Sequence, residues 1–468
     1  MRHVFAATAA ALALAACTVG PEFEPVPVAL PEAYGATVPA LFTEAPPAAP
    51  WWTAFGDPVL GELVERGRAS NLDVRTAASR LREARANAAA VRGRTGPEVT
   101  VGGEASADAR IAGGRDGTDD TGAAVDLFLD GVDVLDVFGG ERRSRAAAEA
   151  ETQRQARLEV DVRRRITAEI ARTYLDLRAV QRGIALTEQQ LQLQRRIVEI
   201  VRDRVRTGLA PGLDLVRAQA AVATLEADLG PLRRDLGRFE NTLAVLLGEP
   251  PGAVSDLLAE RRPIPVADAG APIGVPGDLI RRRPDVQAAE LAVAAATAEV
   301  GVATAELYPS FELPATLTLG PFGVGASDVV EAVLASIALA VNLPIYDGGA
   351  RAADVTAAEE RVIQASLAYR DTVLTAVAEV EAALLGYVGA RDRRDALRVA
   401  VERNRRAFEQ SQQLYREGFA NFIDVLDSRR ELTTTLQDLA RADRDLSVEV
   451  VNLYTALGGT PDAERPSA

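Results

Sequence analysis

The sequence predicts a mainly α-helical chain with β strands, built as a tandem duplication in which each half carries one strand pair and one long coiled-coil helical hairpin. Three observations predict it. Short landmarks recur at shifts of 209 to 212 residues, apolar residues repeat every seven positions through both halves, and each half holds an extended, Gly-punctuated stretch ahead of its heptads. Self-similarity at a fixed period marks repeat architecture.

The duplication is read directly. Asn71-Leu72-Asp73-Val74 returns as Arg283-Pro284-Asp285-Val286 and Pro97 as Pro309, both shifted by 212. Phe138-Gly139-Gly140-Glu141-Arg142 returns as Asp347-Gly348-Gly349-Ala350-Arg351, shifted by 209. The stretch Val205 to Asp214, through Gly208, returns as Tyr415 to Asp424, through Gly418, and Leu247-Gly248 as Leu457-Gly458, both shifted by 210. Each half is therefore expected to have the same fold.

Taken in order, residues 1–16 hold one arginine and a short apolar stretch, followed by Leu14-Ala15-Ala16-Cys17. A helix needs ~20 residues to span a bilayer, so this stretch reads as a cleaved signal segment. The pattern resembles a lipobox, with Cys17 as the new N-terminus and the site of lipid attachment. Thr18 after it resembles lipoproteins sorted to the outer membrane. Residues 17–50 then form a Pro-rich segment, with eight prolines from 21 to 50, and residues 249–282 form a linker of the same character. Proline at that density excludes helix and central strand. Repeat 1 spans 51–248, repeat 2 spans 283–458, and 459–468 is a C-terminal tail.

Within repeat 1, residues 97–140 read as a strand pair, opened by Val99-Thr100-Val101, turned between Gly113 and Gly122, and returning from Ala124 to Val137. Ile170, Leu177, Ile184, Leu191, Val198 and Val205 then fall every seven residues on a helix expected from Glu141 to Arg206. At 1.5 Å per residue it is about 100 Å long. Past the Gly208–Gly212 break, a second seam runs from Leu215 to Leu246, closing a coiled-coil hairpin over 141–248. Repeat 2 places its strands in 309–349, with Phe311–Leu319 and Ile337–Ile345 around a turn near Gly320–Gly325, and its hairpin in 350–458. The second hairpin's heptads are Val380, Tyr387, Val401, Phe408, Tyr415, then Val425, Leu432, Leu439, Leu446, Leu453; Arg394 breaks the register. Weak alternation with small or polar residues on one face is the pattern of a membrane β-barrel. Four strands cannot close one, so partner chains are required if the strands are membranous. A self-contained four-helix bundle is the alternative.

Composition narrows the chemistry. His3 is the only histidine and Cys17 the only cysteine, so the body of the chain has no histidine base, no cysteine nucleophile and none of the common zinc sites. A net charge of −15 opposes nucleic-acid binding. No catalytic residue, metal or cofactor is expected.

The residues that carry a family resemblance are Cys17-Thr18-Val19-Gly20-Pro21, Trp51-Trp52 with Phe55 and Asp57, Asp136-Val137-Phe138-Gly139, Asp278 to Asp285, Tyr308-Pro309, Asn342-Leu343-Pro344, Asp347-Gly348-Gly349, Asp424-Val425-Leu426-Asp427 and Leu453 to Gly459. In that order they resemble the TolC-like outer-membrane efflux proteins, in their lipoprotein branch. The resemblance implies a homotrimer, lipid-anchored in the bacterial outer membrane and extending into the periplasm. In it each chain gives four strands to a twelve-stranded barrel and its long helices to an α-helical tunnel. It also implies a passive duct that receives drugs or other small solutes from an inner-membrane pump, of RND type, through a periplasmic adaptor protein, with no enzymatic activity. A duct for type I protein secretion and a coiled-coil adaptor are the alternatives; adaptors usually carry a single hairpin.

The resemblance further implies a periplasmic gate at Asp424 and Asp427, with Tyr415 bonding Asp214 of the neighbouring hairpin. An arginine that follows the second turn in the family is replaced here by Ala420. Local capping of the last helix is the plainer role for Asp424 and Asp427, and for Asp214 in its own helix. The turns Gly208-Leu209 and Gly418-Phe419 are the expected adaptor contacts, where turning the chain is the plainer role.

Overall fold

The computed structural model describes residues 18–32, 34–35, 50–110, 120–267, 282–323 and 333–459. The expected signal segment, Cys17, both strand-pair tips (111–119 and 324–332) and the tail from residue 460 lie outside the described residues. In chain order come a 3₁₀ turn at Trp51–Phe55, α1 (Pro58–Ser70), α2 (Leu72–Arg94), β1 (Glu98–Arg110), β2 (Asp120–Val134), α3 (Gly140–Arg206) and α4 (Gly212–Leu246). A single turn at Ser255–Leu258 precedes α5 (Pro284–Ala305), β3 (Ser310–Gly323), β4 (Val333–Ile337), β5 (Ala340–Asn342), α6 (Ala350–Glu417) and α7 (Phe422–Ala456).

The chain divides into two compact units, and both halves of the duplication contribute to each. One holds Arg80–Gln155 and Ala288–Arg370 with the N-terminal segment through Pro27; the other holds Val28–Ser79, Ala156–Gln287 and Asp371–Ala468. The helices begin and end where the sequence provides the chemistry. Asp57 caps α1, its Oδ1 accepting from the Val59 N–H at 2.9 Å, with Pro58 in the first helical position. α3 follows a carboxylate, since the Asp136 side chain accepts from the Glu141 and Arg142 N–H groups at 3.1 and 3.0 Å. The second repeat does the same: Asp347 accepts from the Gly349 and Arg351 N–H groups at 2.9 and 3.2 Å.

This mirrored detail extends through both repeats. The last turns of α4 and α7 close with matching bonds, Gly248 N–H to Val245 O at 2.9 Å and Gly458 N–H to Thr455 O at 3.1 Å, each glycine having positive φ. A Cβ on Gly248 would meet Ser70 O at 2.7 Å, and one on Gly458 would meet Arg282 O at 3.1 Å. Glycine is required at both because the backbone that leads into α2, at Ser70, and into α5, at Arg282, passes there.

The unit holding the hairpins has its core around Trp51, Leu60, Leu63, Ile170, Tyr174, Leu177, Leu243, Leu384 and Leu453. Trp51 stacks on Tyr454 with centroids 5.7 Å apart. The heptad residues Ile170, Leu177, Ile184, Leu191 and Val198 are all buried, each stabilising by roughly 2 kcal/mol. Arg394 remains the break in the second seam. With Arg398 and Arg182 it acts electrostatically on Asp443 of α7, whose carboxyl burial pushes up and these arginines pull back.

The other unit contains the sheet, antiparallel throughout in the order β1-β2-β3-β4, with β5 also on β3. The return strand of the second pair differs from the expected Ile337–Ile345: it starts at Val333, is interrupted after Ile337, and ends at Asn342. Pro314 is the reason. In this register it lies opposite Ala338, accepts the Ala338 N–H at 3.0 Å, and has no N–H to return. Beyond Asn342, Pro344 again lacks the donor a ladder needs.

Candidate functional site

Strand register sorts the sheet into two unlike faces. One face carries Val99 and Val101 on β1, Val125, Leu127 and Leu129 on β2, Leu313, Leu317 and Leu319 on β3, and Val333 and Ile337 on β4, with Asp133 near the end of β2. The other carries Glu98, Thr100, Glu104 and Ser106 on β1, Asp126 and Asp130 on β2, and Glu312, Thr316 and Thr318 on β3, together with Phe128, Val132 and Val134 on β2 and Leu334 on β4. Val125, Leu127 and Leu129 are exposed, while Asp126, Phe128 and Asp130 between them are half-buried. On β2 the apolar side chains are the exposed ones, which inverts the soluble pattern and matches a strand with one face toward lipid. Glu104 stands directly opposite Asp126. Like charges facing each other across a ladder are tolerated where water screens them.

The N-terminal segment is docked within the same unit. Val19 donates to Phe138 O at 3.0 Å, and Arg143 donates to Val19 O and Gly20 O at 3.3 and 3.2 Å. Gly139, at φ +84, leaves room for Thr18: an added Cβ would meet its Cγ2 at 2.6 Å. The chain that follows Cys17 is thereby held at the junction between β2 and α3.

At the other end of the long helices, two turns share one geometry. Gly208 N–H bonds Val205 O at 3.0 Å and Leu209 N–H bonds Arg204 O at 2.8 Å; Gly418 N–H bonds Tyr415 O at 3.1 Å and Phe419 N–H bonds Leu414 O at 2.8 Å. Both glycines have positive φ. The residues that follow are left in solvent, Leu209 at 69% exposure and Phe419 at 80%.

Asp424 stands three residues later in the cap than the sequence implied. The N-cap is Asn421, whose N–H donates to Asp424 Oδ2 at 3.0 Å, so Asp424 is the third residue of α7 and not its cap. Asp427 follows one turn on, exposed, with Arg430 at 3.5 Å. Asp214 occupies the matching third position of α4, with Arg217 at 4.0 Å. Tyr415 is buried in a cluster with Ile197, Val198, Val201, Ala218, Phe422 and Val425, and burial pushes its hydroxyl up. Within the chain, Tyr415 Oη makes no hydrogen bond, to Asp214 or to any other described residue.

Two arginines that the heptad pattern did not reveal cross between the hairpins here. Arg204 donates to Tyr415 O at 2.9 Å, with its guanidinium 4.5 Å from the centre of the Tyr415 ring. Arg429 of α7 is buried and donates to Gln190 O of α3 at 2.5 Å and to Gln190 Oε1 at 3.2 and 3.3 Å. Burial lowers its pKa to about 10.

The profile of the family described as Outer membrane efflux protein matches the chain twice, over residues 63–249 and 275–459. This chain belongs to that family. The double match follows the two repeats. Nodulation protein T of Rhizobium leguminosarum bv. trifolii is 31% identical over 461 residues, which cover 97% of each chain. The pyoverdine export outer membrane protein OpmQ of Pseudomonas putida is 31% identical over 91% of each chain. Among solved structures, the outer-membrane channel OprN superposes with a TM-score of 0.85 at 31% identity, over 95% of this chain and 99% of that one. The open-state MtrE channel of Neisseria gonorrhoeae shares the fold, with a TM-score of 0.80 at 22% identity. As an outer membrane efflux protein, the chain is a channel component that places its strands in the outer membrane and its long helices in the periplasm.

Proposed function

We propose that this efflux protein is the passive exit duct of a tripartite machine. Three copies close one twelve-stranded barrel and one helical tunnel, and the trimer receives small solutes from an inner-membrane pump through a periplasmic adaptor. The observation that carries the reading is the sheet: one face holds most of its exposed aliphatic side chains, and the order β1-β2-β3-β4 leaves an unpaired edge at each end among the described residues. In lipid each unpaired backbone group costs several kcal/mol, so those edges are paired with neighbouring chains. Cys17 carries the lipid, and the docked Thr18–Gly20 segment directs it to the base of the strands. The duct does no chemistry; its body contains neither histidine nor cysteine. The exposed Leu209 and Phe419 are the adaptor contacts.

In this reading Asp424 and Asp427 form the constriction, six carboxylates around one threefold axis. The capping-box bond of Asp424 is compatible with it, because a carboxylate at the third helical position still presents negative charge to solvent. Single-channel currents in planar bilayers test the assignment. Wild-type trimers are expected to pass small, cation-selective currents, and Asp424→Ala/Asp427→Ala trimers larger and less selective ones. Folded, inserted protein that passes no current would point instead to a coiled-coil adaptor.

A further inference from the structure

Four helix ends meet beside the two turns, where Val201 and Val205 of α3, Ala218 and Val222 of α4, Phe408 and Tyr415 of α6, and Phe422 and Val425 of α7 share one apolar cluster. Arg204 packs on the Tyr415 ring of this cluster. Among the described residues it has no carboxylate partner, and its Nε is buried without an acceptor. The guanidinium of this half-buried residue meets the carbonyl of Tyr415 and the face of the Tyr415 ring. That carbonyl belongs to the last turn of α6, at the negative end of the helix dipole, and already accepts the Gly418 N–H at 3.1 Å. Arg204, from the last turn of α3, thus adds a charged donor from the first hairpin to the helix end of the second.

We propose that Arg204 is a positioning residue of the periplasmic gate, holding the tip of the α6–α7 hairpin on the tip of the α3–α4 hairpin while the duct is closed. The proposal rests on reading Asp424 and Asp427 as the gate. Ala420, immediately after the second turn, offers no side-chain donor, and Arg204 reaches the same turn from the other hairpin. The Tyr415 hydroxyl takes no part, being buried without a hydrogen bond, so the tyrosine acts through its ring and its carbonyl. Parting the tips would strip the guanidinium of both contacts at once. The Arg429–Gln190 link lies 14 residues back along α3, about 21 Å away, so the Arg204 link is the one a separation at the tips breaks first.

The test is made on full-length protein purified from outer membranes, with single-channel conductance and leakage of a large antibiotic into intact cells as readouts. Arg204→Ala should shift the open-to-closed ratio about tenfold, the weight of one charge-assisted hydrogen bond, while melting of the trimer changes little. Arg204→Lys should restore most of the closure, since an ammonium can still reach the carbonyl and the ring. Tyr415→Phe should behave as wild type, and Tyr415→Leu, which removes the ring but keeps the carbonyl, should open more than wild type and less than Arg204→Ala. Should Arg204→Ala fail to assemble, Tyr415→Leu reads the ring part of the contact. Wild-type conductance and leakage in assembled Arg204→Ala or Tyr415→Leu trimers overturns the proposal, as does a Tyr415→Phe channel as open as Tyr415→Leu. The Asp424→Ala/Asp427→Ala channel is recorded alongside: altered selectivity there with an unchanged Arg204→Ala channel removes the clamp and leaves the gate reading standing.

Discussion

Arg283 shows how a single buried side chain joins three parts of the chain. Its Nε and Nη2 grip Asp285 at 3.0 and 2.6 Å, while its Nη1 donates to Glu379 of α6 at 2.6 Å and to Ala456 O, at the end of α7, at 3.0 Å. Arg164 adds a second cation, bonding Thr455 O and standing 3.6 Å from Asp285. Burial pushes the Asp285 carboxyl up, but the two arginines and the Val286 N–H outweigh it and hold it below the usual carboxylate range. A lowered carboxylate pKa contributes stability that is present at neutral pH and is lost as the pH falls below about 4. Removing one partner of such a pair leaves a buried charge uncompensated, so Arg283→Ala should cost about 3 kcal/mol. Denaturant melts at pH 7 should show that loss, and it should shrink in an Asp285→Asn background. Equal losses in both backgrounds would mean that Arg283 acts through packing alone.

At the scale of elements, the repeat is what the sequence displayed best. Regular heptads and Gly-marked turns fix the long helices locally: α3, expected from Glu141 to Arg206, begins one residue earlier, at Gly140. The strands were less legible, because a barrel strand shows only weak alternation and its breaks depend on the neighbour across the ladder. Pro314 interrupts β4–β5 from the opposite strand, which no reading of residues 333–345 alone reveals. Arg204 and Arg429 were hidden for a similar reason: an arginine near a heptad seam reads as solvated until the opposite hairpin is in place. The duplication also assigns a job to Asn71, the counterpart of Arg283. Its Nδ2 donates to Leu246 O at 2.8 Å, matching the Arg283 bond to Ala456 O, and its Oδ1 accepts from the Asp73 and Val74 N–H groups at 2.8 and 3.1 Å. One side chain thus caps the start of α2 and pins the end of α4. Asn71→Ala should cost about 2 kcal/mol, the loss of a cap plus an orphaned carbonyl, whereas Asn71→Asp should retain the cap and lose the pin. Thermal melts of the two variants would separate the contributions; a fully stable Asn71→Ala protein would show that neither bond matters.

For the whole molecule, the decisive property is that adjacent residues of one strand lie on opposite faces of the sheet. Val101 points from β1 with 80% of its surface exposed, on the face shared with Leu127 and Leu129, while Thr100 faces the other way, opposite Asp130. If the apolar face meets lipid, an arginine at position 101 places a cation in hydrocarbon, at about 2–4 kcal/mol per chain near the bilayer midplane, in each of three chains. An arginine at position 100 meets water and the Asp130 carboxylate instead. Val101→Arg should therefore be depleted from the outer membrane and fail to form the trimer, while Thr100→Arg should insert at wild-type levels. Recorded in bilayers, the Thr100→Arg channel should be less cation-selective, because three positive charges join a described lumen face that bears Glu98, Glu104, Asp126, Asp130 and Glu312. A strand slip of one residue exchanges the two outcomes, since it turns every side chain to the opposite face. Normal insertion of Val101→Arg together with loss of Thr100→Arg would mean that the sheet is inside out relative to the membrane.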